Sequence, residues 1–162
     1  MYYDEVFEAL NKGKVRYLVV GGVALVLHGV VRLTVDLDLF LDMTPKNLTK
    51  FIKIMGSLRY KPRLPVKALD FADVKKRERW VKEKNMKVFS FIHSKDSYKM
   101  VDAFAEEPIS FKIAYDSKKM IKAGNIQIPV ISIDDLIKLK KSSGRPQDLE
   151  DVKTLIKLRK IK

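Results

Sequence analysis

Two aspartates separated by a single residue, Asp36 and Asp38, are the side chains in this sequence best suited to chemistry. They lie in residues 33–42, LTVDLDLFLD, where apolar and polar residues alternate. That alternation predicts a strand with both carboxylates on one face, about 7 Å apart along the backbone. Because two like charges this close need a cation to stay ionised, and oxygen ligands select hard ions, the pair indicates a Mg²⁺ or Mn²⁺ site. A solvent-facing strand whose alternate residues happen to be acidic explains these two residues equally well.

Two adjacent glycines, Gly21 and Gly22, precede the acidic pair in the chain. They follow the apolar run Tyr17–Val20 and come before residues 23–28, which are mostly apolar, so the sequence predicts a buried strand, a sharp turn and a helix. Such a turn leaves backbone N–H groups free to hold a phosphate. The alternative is that the turn needs glycine for its geometry alone. A P-loop and a dinucleotide-binding fingerprint are both excluded, because no Gly-Lys-Ser/Thr follows and only the glycine pair is present.

The other predicted elements surround these two motifs. Apolar residues at helical spacing, capping residues and terminal glycines predict helices over residues 3–10, 45–57, 70–83 and 133–143, and from 146 towards the C-terminus. Residues 86–93 and 98–104 are predicted to form a hairpin, and residues 117–130 two more short strands. Pro129 predicts that the second of these lies at a sheet edge or ends there. Residues 61–67, which contain two prolines, are expected to be extended or irregular.

The composition bounds the class of protein. The chain has 162 residues, 33 Lys or Arg against 20 Asp or Glu, a formal charge of +13, and no Cys. The length predicts one domain, residues 1–162, and the lack of Cys excludes disulfides, Cys-ligated zinc, iron–sulfur clusters and thiol nucleophiles. The longest uncharged run, residues 17–31, is shorter than the ~20 apolar residues of a membrane span, and the acidic N-terminal segment does not fit a signal peptide. We therefore expect a cytoplasmic protein, and the abundance of Lys with Glu favours a hot-growing source.

The excess of positive charge predicts an anionic partner. It is concentrated from Lys75 to Lys87, where seven Lys or Arg outnumber two Glu. A basic helix here can follow the phosphate backbone of RNA, and the nearby aromatics Tyr60, Phe71 and Trp80 can stack on bases. The alternative is an ordinary solvated helix face, with the aromatic residues in the core.

Residues 21–39, GGVALVLHGVVRLTVDLDL, resemble the signature of the polymerase-β-like nucleotidyltransferases, in the compact branch that includes AbiEii-type toxins. The spacing from the glycines through Arg-x-Thr to Asp-x-Asp is more specific than any of its pieces. Residues 98–104, YKMVDAF, look like the later strand that carries the third carboxylate of that family. Residues 133–158 are similar to the branch's C-terminal pair of helices, with its Lys-to-Arg-x-x-Asp spacing. The resemblance leaves out residues 46–95.

This resemblance implies an α/β (α+β) fold with a mixed central sheet flanked by helices. It also implies a transferase that moves a nucleoside monophosphate from an NTP to an acceptor hydroxyl with the help of Mg²⁺ or Mn²⁺. The implied catalytic and metal-binding residues are Asp36, Asp38 and Asp102, with Asp102 as the candidate base. The implied nucleotide-binding residues are Gly21, Gly22, Arg32, Thr34, Lys140 and Arg145.

Several alternatives stay open at this point. Arg32 can instead pair with Asp42 or another carboxylate, and Arg145 with Asp148. The glycine pair departs from the commonest Gly-Ser form of the motif, so a hydroxyl that usually contacts phosphate is missing. The charge favours RNA such as tRNA as acceptor, with a protein or a small molecule as alternatives, and the branch suggests a toxin–antitoxin role. The competing hypothesis is a non-catalytic module that binds RNA or a partner protein, and the three converging carboxylates argue against it.

Overall fold

The computed structural model describes residues 2–161, which fold around one seven-stranded sheet. The strands are β1 (Tyr17–Val20), β2 (Leu37–Leu41), β3 (Tyr60–Pro62), β4 (Val88–His93), β5 (Met100–Phe104), β6 (Lys119–Ala123) and β7 (Ile126–Val130). The helices are α1 (Asp4–Lys12), α2 (Gly21–Leu27), α3 (Pro45–Ser57), a 3-10 helix (Ala68–Ala72), α4 (Val74–Lys84), α5 (Phe111–Asp116), α6 (Ile133–Ser143) and α7 (Pro146–Ile161). No helix within residues 2–161 is long and apolar enough to span a membrane.

The sheet is mixed, and its strands stand in the order β3-β4-β5-β2-β1-β7-β6. β2 pairs antiparallel with β1 but parallel with β5, and β7 pairs parallel with β1. β4 pairs antiparallel with β3 and with β5, which confirms the predicted hairpin, and β6 pairs antiparallel with β7. Because parallel neighbours need long crossover connections, helices pack on the sheet. The predicted mixed sheet flanked by helices is confirmed.

The core is built on the central strands and on a stack of aromatic rings. All four residues of β1 are buried, as a strand covered on both faces requires. Phe71 of the 3-10 helix stacks on Phe89 of β4 with ring centroids 4.8 Å apart, and Trp80 of α4 stacks on Phe89 at 5.3 Å. Tyr60 is also buried. The three aromatics that were candidates for stacking on bases therefore belong to the core or pack against it.

The strand predicted to begin at Leu33 begins instead at Leu37. Residues 30–36 pair with no strand, and among them Val31 and Leu33 are almost wholly exposed, while Val35 is half exposed. Apolar and polar residues alternate in this segment although it pairs with no neighbouring strand. Its polar side chains attach it to the rest of the protein through their own contacts. The sequence pattern cannot distinguish this arrangement from a half-buried strand.

The helix predicted to begin at Asp70 begins instead at Val74. Asp73 is its N-cap and accepts a hydrogen bond from the Lys76 N–H, whereas Asp70 lies in the 3-10 helix and pairs with Lys76 Nζ at 2.8 Å. Both aspartates satisfy the sequence signal for a cap, so the pattern alone could not choose between them. Arg77, one of the basic residues expected on the surface, is buried.

Pro129 does not lie in an edge strand, because β6 and not β7 forms this edge of the sheet. β1 pairs with β7 only at Val130, one residue beyond the proline and at the end of the strand. The missing N–H of Pro129 therefore interrupts no hydrogen bond to β1. The second form of the prediction, a strand that ends near Pro129, is the correct one.

Removal of the Phe71 ring is expected to destabilise the protein strongly. Because this ring is fully buried against β4, Phe71→Ala should lower the free energy of unfolding by about 3–5 kcal/mol. Leu69→Ala is the matched control, since Leu69 lies in the same 3-10 helix with 56% of its surface exposed, and it should cost less than about 1 kcal/mol. Urea unfolding measures both values, and equal losses would contradict the place of Phe71 in the core.

Candidate active site

Three polar residues lie side by side in one row across the sheet. Asp38 of β2 is in register with Asp102 of β5, and Asp102 is in register with Ser90 of β4. Residues in register on adjacent strands project to the same face, with about 5 Å between one strand and the next. Two carboxylates that are far apart in the sequence are therefore neighbours, and we call these three residues the carboxylate row.

The glycine turn closes against one end of the carboxylate row. β1 ends at Val20, opposite Asp38, and Gly21 follows with φ +66°, a left-handed conformation that favours glycine. A Cβ built on Gly21 would lie 2.1 Å from Asp38 Oδ2, and one built on Gly22 would lie 2.6 Å from Thr34 Oγ1. The backbone of the turn therefore approaches both side chains more closely than any residue with a Cβ allows.

Asp36 lies one residue before β2, outside the row but close enough for its charge to act on both carboxylates of the row. The segment that carries it is fixed by Tyr3. The Tyr3 hydroxyl donates to the Val35 carbonyl at 2.6 Å and accepts from the Met100 N–H at 3.2 Å. One buried side chain therefore holds together the two stretches of chain that lead into the carboxylates.

Asp38 is the carboxyl group that is hardest to ionise in this site. Burial, followed by the charges of Asp102 and Asp36, raises the pKa of Asp38 to about 7. Lys140 and Arg145 act in the opposite direction, so these two cations lie within electrostatic range of the row. A cation bound at Asp38 would reduce this cost, because its charge stabilises the buried carboxylate and compensates the repulsion between the like charges.

Asp102 is held by a hydrogen bond from its neighbour in the row. Burial raises the pKa of Asp102, and the charge of Asp36 adds to the rise. Ser90 Oγ donates to Asp102 Oδ1 at 2.6 Å, and this hydrogen bond and the charge of Arg63 both lower the pKa. Ser90 therefore orients the carboxylate through one oxygen and leaves Oδ2 without that partner.

The two C-terminal helices place a group of paired charges near Asp38. Lys140 of α6 is buried, with Nζ 3.5 Å from Asp148 Oδ1 and 3.0 Å from Asp151 Oδ2 of α7. Arg145 Nε donates to Asp148 at 2.8 Å. Burial opposes ionisation of Asp148, but hydrogen bonds led by that from Arg145 lower its pKa to about 2. Two of the predicted phosphate-binding cations are therefore paired with carboxylates in this structure.

Arg32, a third predicted phosphate contact, also pairs with Asp151. Asp42, the partner considered for it from the sequence, pairs with Arg16 instead at 3.6 Å. Through Arg32 the exposed segment of residues 30–36 is attached to α7. Arg32 thus forms an ion pair with another carboxylate, which is one of its two predicted contacts, and phosphate binding by Arg32 stays a prediction.

Sequence reasoning missed three residues of this site, namely Tyr3, Ser90 and Arg63. No local motif marks them, because each reaches the site through long-range pairing. The register of the predicted hairpin was the one signal that could have placed Ser90 beside the third carboxylate. His28 is buried at the C-terminal end of α2, with Nε2 2.7 Å from the Ile131 carbonyl oxygen.

The donors at the carboxylate row are all oxygens, which suit Mg²⁺ and Mn²⁺. Over residues 2–161, no three His, Cys, Asp or Glu side chains are grouped closely enough to hold a metal ion by themselves. Mg²⁺ commonly takes one or two carboxylates and completes its shell with waters and substrate phosphates. The pair Asp38 and Asp102 fits that requirement without a third protein ligand.

A methyl group at position 21 is expected to displace Asp38. Gly21→Ala should destabilise the protein by about 2 kcal/mol or more, because the new Cβ adds a collision with Asp38 to the strain of a positive φ. Gly124→Ala is the matched control, since Gly124 has a similar φ of +62° with nothing within 4 Å of a built Cβ, and it should cost about 1 kcal/mol. Chemical unfolding of both variants tests this, and equal losses would show that the turn does not press on Asp38.

Replacement of the Asp38 carboxyl by an amide is expected to stabilise the metal-free protein at neutral to alkaline pH. The pKa of Asp38 is raised in the folded state, so the folded protein loses stability relative to the unfolded chain as pH rises from about 4 to about 7. Asp38→Asn removes this loss and should gain on the order of 2 kcal/mol at pH 8, with no gain below pH 4. Thermal unfolding across pH, in the presence of a chelator, measures the difference. If Asp38→Asn is less stable than the wild type at pH 8, ionised Asp38 does not destabilise the folded protein and the prediction is wrong.

The sequence matches, over residues 3–161, the family described as nucleotidyltransferase of unknown function (DUF6036). No curated protein matches it. Among solved structures, the chain is similar to the proposed nucleotidyltransferase TM1012 from Thermotoga maritima, at 14% identity with a TM-score of 0.60 over 96% of this chain and 91% of that one. It is also similar to the lincosamide antibiotic adenylyltransferase LnuA, at 16% identity with a TM-score of 0.62 over 94% and 93% of the two chains. The antibiotic-resistance factor ANT(2'')-Ia is a third, at 12% identity with a TM-score of 0.59 over 93% and 78%.

At these identities the structural likeness shows a shared fold and says nothing of individual site residues. The family match shows which family the chain belongs to, because it spans almost the whole chain. The protein therefore belongs to the DUF6036 family of nucleotidyltransferases, enzymes that transfer a nucleoside monophosphate.

Proposed function

We propose that this protein is a Mg²⁺- or Mn²⁺-dependent enzyme that transfers a nucleoside monophosphate from an NTP to a hydroxyl group of RNA, such as tRNA. One observation carries the proposal. The backbone of Gly21 lies directly against Asp38, which stands beside Asp102. This contact supports the proposal, because it would bring a triphosphate held at the turn next to a metal ion held by the carboxylates.

We assign roles to the acidic residues on the basis of their positions. Asp38 and Asp102 would hold the metal ion from the row, with Asp36 at its edge. The bound ion would offset the negative charge of the triphosphate. Asp102 Oδ2, the oxygen that Ser90 does not engage, would accept the proton of the attacking hydroxyl. Pyrophosphate is the leaving group of this reaction.

The remaining predicted residues would orient the nucleotide. Gly21 and Gly22 would hold its phosphates through the backbone, and Thr34, against Gly22, would present its hydroxyl to them. Lys140 and Arg145 lie within electrostatic range of Asp38 and would attract the triphosphate. Both cations already pair with carboxylates, which fix their positions. We therefore propose that they attract the triphosphate through their charge more than they bind it directly.

RNA is the acceptor that the charge of the protein favours, since an anionic chain is attracted to a surface with a net charge of +13. A small molecule is the second candidate. LnuA was solved with lincomycin bound and ANT(2'')-Ia with adenylyl-2''-tobramycin. In this protein, a groove of about 530 Å³ opens beside Arg32 and Asp151 and is large enough for such an acceptor.

We also propose a cytoplasmic location. Membership of the AbiEii-type branch and a toxin–antitoxin role stay predictions.

Label transfer tests the reaction directly. The purified protein is incubated with Mg²⁺ or Mn²⁺ and with each of the four NTPs labelled at the α-phosphate, with total RNA, total protein or a small-molecule extract as acceptor. We expect label in RNA with the wild type. The rate of Asp38→Asn should be lower by at least about 100-fold, because the metal-binding pair is broken. Asp116→Asn is the matched control. Among the described residues this exposed carboxylate pairs with Lys112 alone, at 3.4 Å, so its loss should leave the rate unchanged.

Thermal unfolding gives an independent measure of the metal site. Mn²⁺ should raise the melting temperature of the wild type and of Asp116→Asn, but not that of Asp38→Asn, because an ion that binds only the folded state stabilises it. Label in the small-molecule fraction would replace RNA by the second candidate. The absence of both transfer and metal stabilisation would argue against the proposed reaction.

A further inference from the structure

Arg63 lies next to the carboxylate row, on the side away from the glycine turn. β3 ends at Pro62, which is in register with Phe91 of β4. The next residue, Arg63, donates its backbone N–H to the Ser90 carbonyl at 2.9 Å. Arg63 is thus attached beside Ser90, two strands away from Asp102.

The guanidinium of Arg63 is available to a ligand. The Arg63 side chain is exposed, and among residues 2–161 no carboxylate oxygen lies within ion-pair distance of it. Arg32 and Lys140, in contrast, are paired with Asp151, and Arg145 is paired with Asp148. Arg63 nevertheless acts on the site, because its charge is felt at Asp102.

The position of Arg63 separates it from the proposed nucleotide site. The strand order places β1, with the glycine turn, on one side of Asp38 and Asp102, and places β4 and β3 on the other. With about 4.8 Å between neighbouring strands, β1 and β3 are roughly 19 Å apart. A triphosphate held at Gly21 and Gly22 therefore leaves the Arg63 end of the row to the acceptor.

The chain around Arg63 is strongly basic. Residues 58–87 contain eleven Lys or Arg and four Asp or Glu, so this stretch carries +7 of the formal charge of +13. It includes β3, the 3-10 helix and α4, and most of its cations are exposed, Lys75 and Lys82 among them. Clustered exposed cations of this kind bind a polyphosphate chain more strongly than a neutral acceptor.

We propose that Arg63 binds a backbone phosphate of an RNA acceptor and so holds the attacking hydroxyl at the Asp102 end of the carboxylate row. This inference rests on the proposed transfer to RNA and adds a residue to it. The guanidinium suits the task, because it makes two parallel hydrogen bonds to one phosphate group. The exposed cations of residues 58–87 extend the contact along the strand.

Direct binding tests this inference without turnover. A fluorescein-labelled single-stranded RNA is titrated with wild type, Arg63→Gln, Arg63→Lys and Arg159→Gln, and anisotropy is followed from about 50 to 200 mM salt. Arg159→Gln removes the same charge from a guanidinium already paired with Asp134 at 2.8 Å. We expect Arg63→Gln to weaken binding on the order of tenfold at low salt and to reduce the salt slope by about one. Arg63→Lys should keep the slope, and Arg159→Gln should change little.

A second titration, with fluorescent ATP and Mg²⁺, distinguishes the acceptor from the donor. The affinity for ATP should be the same in Arg63→Gln and in wild type. Lost ATP affinity with unchanged RNA affinity would place Arg63 in the nucleotide site and overturn the inference, as would equal RNA binding by Arg63→Gln and Arg159→Gln or no RNA binding by wild type. If wild type binds RNA through Arg63 but transfers no label, the proposed reaction fails while the binding site stands. Melting temperatures of all variants confirm that they are folded.

Discussion

The constraint on which the site depends is the cost of ionising Asp38 and Asp102, which β2 and β5 bring side by side in a partly buried place. Burial is the main cause of this cost and the like charges add to it, and neighbouring groups reduce it from several directions. Ser90 donates a hydrogen bond to one carboxylate, and the ends of α6 and α7 bring Lys140 and Arg145 towards the other. A protein without use for a cation would gain stability by losing one of the two carboxylates. Stability therefore does not explain the arrangement, which supports the proposed metal ion.

The parallel pairing of β2 with β5 also explains where the basic surface lies. Parallel neighbours cannot be joined by a tight turn, so the chain between Leu41 and Met100 has to leave the sheet and return. On this path it forms α3, β3, the 3-10 helix, α4 and β4. The same excursion that brings Asp102 beside Asp38 therefore builds the sheet edge that carries Arg63 and most of the excess positive charge. The carboxylate row and the basic surface therefore have one topological origin.

Much of this architecture could be predicted from the sequence, because local signals agreed with the fold. Helix α3 follows the Thr44 cap and its apolar stripe, and the glycine turn and the β4–β5 hairpin lie where predicted. Asp36 and Asp38 stood out through their spacing alone, whereas Asp102 needed the family resemblance. Ser90 could be found only from the exact register of the predicted hairpin, and Arg63 could not be found, because only long-range strand pairing brings it to the row. The extent of β2 was misjudged, because alternation in residues 30–36 reflects side-chain anchoring and not a ladder.

The departure from the Gly-Ser form of the motif has a physical explanation in this chain. A serine at position 22 would place its Cβ 2.6 Å from Thr34 Oγ1, so the space is already taken. Thr34 therefore brings a hydroxyl from the neighbouring segment to the place that a serine side chain would otherwise enter. Its Oγ1 lies 3.5 Å from the Asp36 carbonyl oxygen, a long contact that leaves the hydroxyl able to turn towards a ligand. Gly22 and Thr34 thus form a matched pair, and the absence of serine does not mean that the turn has lost its hydroxyl.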